Sequence, residues 1–273
     1  MKQQPGRTAE AFSTRNFSVT FVDMKVVVIS DIHIRDEQDP LYHLLLKMIL
    51  KEANSGDVLV LAGDIFDFLV GRQPTLMARY EGFFRLLREK CEAGVRVTYI
   101  EGNHDFHLES SFKEIPGVSI QPVEAEFQIG LKKIYVAHGD LVDQEDHGYL
   151  FLRRFFRSVF IKWAALVLPS PVVEWIGNRS SRASSNLKPR IPTTLSEARL
   201  EKLRSIYRGF AREKFHDGFD AVVLGHCHDL DGANFIEEGR MGSYLNVGYP
   251  RSHHSYVVFD DVNGLHRRAL HSD

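Results

Sequence analysis

Five short β-branched runs, each ending in a polar block, constrain this chain more than any other feature. Lys25–Ser30 (KVVVIS), Val58–Leu61 (VLVL), Val95–Ile100 (VRVTYI), Ile134–Ala137 (IYVA) and Ala221–Leu224 (AVVL) have the length and composition of buried strands. The blocks that follow are SDIH at Ser30–His33, GDIFD at Gly63–Asp67, GNHD at Gly102–Asp105, HGD at His138–Asp140 and GHCH at Gly225–His228. Between the early runs, Leu41–Ala53 and Leu76–Ala93 carry apolar residues at helical spacing, so the order β-α-β-α-β predicts a sheet covered by helices. Ser119–Ile129, Tyr244–Val247 and Tyr256–Asp260 read as antiparallel strands of a second sheet.

In open α/β sheets, the loops at the carboxyl ends of the strands converge on one crevice. Asp, Asn and His supply oxygen and nitrogen donors suited to divalent ions such as Mn, Fe or Zn. Alternation within DIH and HCH lets two donors of one extended segment point the same way. A single GD turn or lone histidine carries little information; five such blocks in strand order predict a metal-binding cleft.

The chain has 273 residues, enough for one large α/β domain with an insertion or for two small domains. Its two cysteines, Cys91 and Cys227, provide no disulfide framework, which favours a reducing compartment. Residues 1–24 are polar and mixed, without the apolar core of a secretory signal, and read as a disordered leader.

Charge is uneven. Residues 141–216 hold 14 Lys+Arg against 7 Asp+Glu, while the whole chain is −2, which leaves −9 for the remainder. This segment, broken by Pro169, Pro171, Pro189 and Pro192, reads as a helical insertion between two of the strands. Its first part, LFLRRFFRSVFIKWAALVLPSPVVEW from Leu150 to Trp175, is too often interrupted by charge and proline to span a membrane. Arg153, Arg154 and Arg157 fall on one helical face among phenylalanines. That suits an amphipathic helix at an interface or over an apolar groove, the other reading being a packed core helix with snorkelling arginines.

The five blocks resemble the signature of the calcineurin-like metallophosphoesterases, DxH…GDxxD…GNH[DE]…H…GHxH, over Lys25 to about Phe259. The resemblance implies an α/β fold, a β-sandwich of two mixed sheets flanked by helices. Residues 25–140 and 217–273 would form the catalytic domain and 141–216 a helical cap. It implies two divalent ions, with manganese expected and iron or zinc as alternatives. One would be held by Asp31, His33, Asp64 and His228, the other by Asp64, Asn103, His138 and His226. Two ions about 3.5–4 Å apart clamp a phosphoryl group and the attacking oxygen together. His104 becomes the candidate for phosphate contact or leaving-group protonation. Asp105 is a candidate for orienting a histidine, with loop capping as its other reading, and Asp67 for orienting a metal ligand.

The insertion is similar to that of one group in this superfamily, the UDP-2,3-diacylglucosamine pyrophosphatases of lipid A biosynthesis. The matching residues are Asp146, Tyr149, FLRRFFR, VLP and the polar run NRSSRASSNLK, with Arg179, Ser181, Asn186 and Lys188 as candidate substrate contacts. The implied substrate is a nucleotide-diphospho-sugar lipid, hydrolysed to UMP and 2,3-diacylglucosamine 1-phosphate. The implied setting is cytoplasmic and peripheral at the inner-membrane surface, with no nucleic acid and no obligate protein partner. The chain differs from many members of that group in carrying His at position 104. A phosphoprotein phosphatase, a nuclease or another nucleotide phosphodiesterase would use the same metal centre, whereas a non-catalytic scaffold would be expected to lack a ligand.

Overall fold

The computed structural model describes residues 24–170, 172–173, 196–237 and 239–271. The leader, residues 1–23, and the positions Arg179, Ser181, Asn186 and Lys188 lie outside the described residues.

Thirteen strands are described: β1 Val26–Ile29, β2 Val58–Ala62, β3 Leu69–Val70, β4 Arg96–Ile100, β5 Asp105–Phe106, β6 Val118–Gln121, β7 Glu124–Ile129, β8 Lys132–Ala137, β9 Ala221–Leu224, β10 Gly232–Glu237, β11 Arg240–Asn246, β12 Ser255–Asp260 and β13 Gly264–Ala269. Two mixed sheets form a sandwich. A six-stranded sheet has the order β13-β12-β1-β2-β4-β6 and a five-stranded sheet the order β10-β11-β9-β8-β7. β1, β2, β4 and β6 run parallel, with β12 antiparallel to β1. In the second sheet β8, β9 and β11 run parallel, with β7 and β10 as antiparallel edges.

Strand alternation assigns each residue to a layer. Val26, Val28, Val58 and Val60 pack between the sheets against Ile134, Val136 and Val223. Their neighbours Val27, Ile29, Leu59 and Leu61 face the helices Pro40–Glu52 and Glu81–Glu92, meeting Leu45, Ile49, Phe83 and Leu87. On the far side of the sandwich, Tyr135, Val222, Leu224 and Tyr244 are covered by Tyr207, Ala211 and Phe215 of the helix Glu197–His216. Both faces of the central strands are therefore buried, which is why they read as continuous apolar runs.

The second sheet differs from the expected one. Ser119–Ile129 is two strands, split before Glu124 where Pro122 interrupts the ladder, and β6 joins the first sheet in parallel. Tyr256–Asp260 also joins the first sheet, and Tyr244–Val247 belongs to a strand that is parallel to β9. The run Leu76–Ala93 is broken at Tyr80, a buried residue whose hydroxyl donates to the Arg35 carbonyl at 3.0 Å.

The described part of residues 141–216 divides by its contacts. The helices His147–Phe156 and Val159–Val167 lie at the rim where β4 and β8 end, whereas Glu197–His216 covers the second sheet. No helix among the described residues is long and apolar enough to cross a membrane.

Candidate metal centre

β1, β2, β4, β8 and β9 deliver their polar blocks to one rim of the sandwich. The Asp31 N–H donates to the Gly63 carbonyl at 3.1 Å, and the His226 N–H to Asp31 Oδ2 at 2.9 Å, so the blocks hold one another. Their backbone is unusual. Asp31, His33, Asp64, His226 and His228 adopt φ of 55°, 50°, 53°, 66° and 57°, the left-handed region that L-residues avoid. Such conformations cost about 1–3 kcal/mol each and gather where function demands them. Two glycines let the blocks close together. A Cβ on Gly225 would lie 2.4 Å from Asp31 Oδ2, and one on Gly102 would lie 2.2 Å from Asp64 Oδ1.

Donor atoms converge in two groups that meet at Asp64, and His104 forms a further group with His33 and Asp64. On one side His228 Nε2 is 3.2 Å from Asp31 Oδ1 and 3.3 Å from His33 Nε2. On the other, His138 Nε2 is 3.2 Å from Asn103 Oδ1 and 3.3 Å from His226 Nδ1. Asp64 Oδ2 stands between them, 3.7 Å from both His33 Nε2 and His138 Nε2. All seven residues named as ligands from the sequence are brought together.

This donor set fits divalent cations. His138 Nδ1 lies 3.0 Å from the Ala62 carbonyl, an acceptor only, so Nδ1 carries a proton and Nε2, which faces Asp64, Asn103 and His226, is the nitrogen left to bind an ion. Asp31 Oδ1 is buried with no hydrogen bond to satisfy it. Burial pushes His33 and His226 down to about 4, leaving the neutral imidazoles a metal requires. His138, despite the opposing effect of burial, is pushed up to about 9 by Asp64, Asp31, Asp140 and Asp105. Burial would raise Asp64, but His138, His104 and His33 outweigh it and hold the carboxylate well below its usual range. The pocket is built for positive charge.

His104 sits at the edge of this array, its ring centroid 4.8 Å from that of His33. Its backbone N–H donates to Asp64 Oδ1 at 2.9 Å, and its Nδ1 lies 2.9 Å from the Asp67 carbonyl, leaving Nε2 for another partner. Asp67 Oδ1 is 3.6 Å from His33 Nδ1. Asp105 has a different task from orienting a histidine. Its two oxygens accept the N–H groups of Asp64, Ile65 and Gly102 and the Tyr99 hydroxyl, fastening one metal loop to another. Asp146 caps the helix His147–Phe156 by accepting the Tyr149 N–H at 3.0 Å. The Tyr149 hydroxyl donates to Asp140 at 2.9 Å and its ring lies 5.2 Å from that of His226.

Comparison with known proteins fits this geometry. Residues 24–230 match the family model of the calcineurin-like phosphoesterases. The chain belongs to that family. It is 22% identical over 234 residues to the UDP-2,3-diacylglucosamine hydrolase of Psychromonas ingrahamii, covering 86% of this chain and 93% of that one. Identity is 28% over 203 residues to the protein of the same name from Haemophilus influenzae, covering 73% and 81% of the two chains. Among solved structures, an archaeal phosphodiesterase is 12% identical over 90% of this chain and 99% of its own, with a TM-score of 0.43. This calcineurin-like phosphoesterase is a metal-dependent phosphohydrolase.

Three residues at the phosphoesterase's site, Tyr249, Arg153 and Arg157, were not assigned to it from the sequence. Tyr249 stacks on His228 with ring centroids 4.7 Å apart and planes within 16°. It follows β11, so the strand-end rule that found the other blocks points to NVGYP as well. Arg153 and Arg157, read as a surface face, turn inward. Arg153 donates to Asp140, and Arg157 to Glu101 at 2.9 Å. On the two helices His147–Phe156 and Val159–Val167, Phe151, Phe155, Val159, Phe160 and Trp163 are exposed, Val159 by 83%, alongside Arg154 and His147.

Proposed function

We propose that this phosphoesterase hydrolyses the diphosphate of UDP-2,3-diacylglucosamine, using two divalent ions, most fittingly manganese. Water adds to the phosphorus next to the uridine, the bond from that phosphorus to the bridging oxygen breaks, and UMP and 2,3-diacylglucosamine 1-phosphate leave. The observation that carries the reading is the juxtaposition of the seven-donor centre with a cap that exposes Phe151, Phe155, Val159, Phe160 and Trp163. A soluble phosphopeptide needs no such cover. Both relatives reported above bear a name that states this substrate, and it is carried to this chain as part of the proposal.

When bound, the ions supply Lewis acidity that activates the attacking oxygen and neutralises charge on the phosphoryl group. The chain's own residues do the rest. Asp31, His33, Asp64 and His228 hold one ion, and Asp64, Asn103, His138 and His226 the other, with Asp64 shared. His104, anchored through Nδ1 to the Asp67 carbonyl, presents Nε2 to the phosphate or to the departing oxygen. Asp146 and Tyr149 line the entrance, and Arg179, Ser181, Asn186 and Lys188 take the diphosphate and sugar. The outward phenylalanines and Trp163 rest in the headgroup region of the inner membrane, where a diacylated substrate is found. The inward pairing of Arg153 and Arg157 removes two of the cations that a nucleic-acid backbone would need.

Purified protein is assayed with and without Mn²⁺ on UDP-2,3-diacylglucosamine, bis-p-nitrophenyl phosphate and a phosphopeptide. The reading expects metal-dependent UMP release with kcat/KM at least about 100-fold above the other two, since a few buried acyl methylenes supply that ratio. Preference for the phosphopeptide would overturn it.

A further inference from the structure

We infer that Arg153, on the helix His147–Phe156, and Arg157, the residue that caps its C-terminus one turn later, are positioning residues for the Asn103/His138 half of the metal centre. The cap braces both loops that carry those donors. This inference rests on the dinuclear reading given above.

Arg153 Nε donates to Asp140 Oδ2, two residues after His138, and the same oxygen receives the Tyr149 hydroxyl at 2.9 Å. Arg157 holds the other loop. Its Nη1 donates to Glu101 Oε2 at 2.9 Å and to the Pro122 carbonyl at 2.8 Å. Its Nη2 donates to the carbonyls of Glu101 at 3.1 Å and Gly102 at 3.0 Å, the two residues directly before Asn103. The arginine side chains are only 13% and 14% exposed, and Asp140 and Glu101 only 2% and 8%. Charge-assisted bonds so poorly hydrated are strong, and removing one partner leaves the other charge buried and uncompensated.

The other half of the centre is held differently. Arg251 of the body donates to the His33 carbonyl at 2.9 Å, and Arg204 grips Asp229, next to His228, at 2.6 and 3.1 Å. The cap thus braces the loops of Asn103 and His138, the second together with Tyr207, whose hydroxyl donates to the Gly139 carbonyl at 2.9 Å, while the body holds those of His33 and His228. Seating of the cap and affinity for one of the two ions are then the same event.

The test is Mn²⁺ binding to the full chain by calorimetry and EPR, comparing wild type, Arg153→Met, Arg157→Met and the exposed neighbour Arg154→Met. The expected result for Arg153→Met and Arg157→Met is one ion bound as in wild type and the other weakened about 10–100-fold, the usual effect of losing support behind a ligand. The spin-coupled dimanganese signal should give way to a mononuclear one at low Mn²⁺ and return, with bis-p-nitrophenyl phosphate hydrolysis, at high Mn²⁺. Arg154→Met should match wild type. If Arg157→Met does not fold, Arg157→Lys, which keeps the charge but not the fork, is read in the same way. Unchanged binding of both ions, or equal weakening of both, would overturn the inference. A wild-type chain that takes up one ion at saturation would instead overturn the dinuclear reading.

Discussion

The Tyr99 hydroxyl donates to Asp105 Oδ2 at 2.6 Å, and neither side chain reaches solvent. The pair lies beneath the metal centre, where Asp105 also accepts three backbone N–H groups from the Asp64 and Gly102 loops. Burial, with the neighbouring Asp64 charge, pushes the Asp105 carboxyl up to about 7. The donors around it oppose that shift and fix its position.

Asp105→Asn should therefore destabilise the fold rather than merely slow the reaction. An amide has one acceptor oxygen for donors that now approach two, and its NH₂ group would face N–H or O–H. Breaking a buried network of this kind costs about 3 kcal/mol or more. Tyr99→Phe, which removes a single hydroxyl, should cost about 1–2 kcal/mol. Thermal unfolding of the two variants checks the order, and a Tyr99→Phe loss as large as that of Asp105→Asn would contradict it.

Asp64→Asn should empty the centre more completely than any other ligand change. Asp64 Oδ2 alone stands 3.7 Å from a histidine of each half, while Oδ1 is already engaged by the His104 N–H. The asparagine oxygen can keep that backbone contact, so the fold should survive. Metal analysis should find both ions weakened, and turnover should fall by about 10³-fold or more. Two tightly held ions per chain in this variant would remove Asp64 from its shared position.

His104→Ala should leave metal content unchanged and slow turnover by about 10²–10⁴. Its backbone N–H, which supports Asp64, is retained in alanine. If His104 protonates the departing oxygen, the loss should shrink for a p-nitrophenolate leaving group, which needs no proton. An equal loss on good and poor leaving groups would assign His104 to phosphate contact instead.

These sites differ in how far the sequence revealed them. The five blocks after five apolar runs marked the residues that the fold brings together, because a buried strand and a polar loop have opposite compositions and their junctions are sharp. The left-handed backbone of Asp31, His33, Asp64, His226 and His228 was hidden, since glycine is the residue that advertises such φ values and none of these is glycine. Arg153 and Arg157 were misread for a related reason. Helical periodicity shows that two arginines share a face, but not that Asp140 and Glu101, 13 and 56 residues away, are waiting behind it. Asp105 beside the ligand Asn103 looked like chemistry, and its contacts make it a fastener. Pro122 marked the break in Ser119–Ile129, yet which sheet each half joins is decided by packing on both faces.

Acidification offers a check on the Arg251 support behind His33. Asp39 caps the helix Pro40–Glu52 by accepting the Leu41 N–H at 3.1 Å and pairs with Arg251 at 2.6 Å. Burial would raise its carboxyl, but Arg251 and the Leu41 N–H hold it below the ordinary 3.8. A carboxyl lowered in the folded state adds stability above its unfolded value, and that contribution is lost as pH falls through the folded one. Wild type should thus exceed Asp39→Asn in Tm at pH 7, and the gap should narrow only below about pH 4. A gap that is constant from pH 7 to pH 2 would mean that the side-chain charge contributes nothing.

The cap makes the most exposed prediction. Phe155 and Phe160 are 50% and 69% exposed, and Trp163 is 60% exposed, on helices whose arginines Arg153 and Arg157 are turned to the body. Membrane attachment should then depend on these apolar side chains rather than on the two arginines. Fully burying a side chain of this size contributes about 1.5–3 kcal/mol, so replacing Phe155 and Phe160 with serine should weaken vesicle binding by roughly 100-fold. Added salt should change that binding little, because apolar insertion is not screened. KM for a diacylated substrate should rise, while bis-p-nitrophenyl phosphate, which does not need the membrane, should be hydrolysed at the wild-type rate. Vesicle flotation and paired kinetics read both effects. Equal loss on both substrates would make these phenylalanines part of the folded core, and the membrane reading would fall with them.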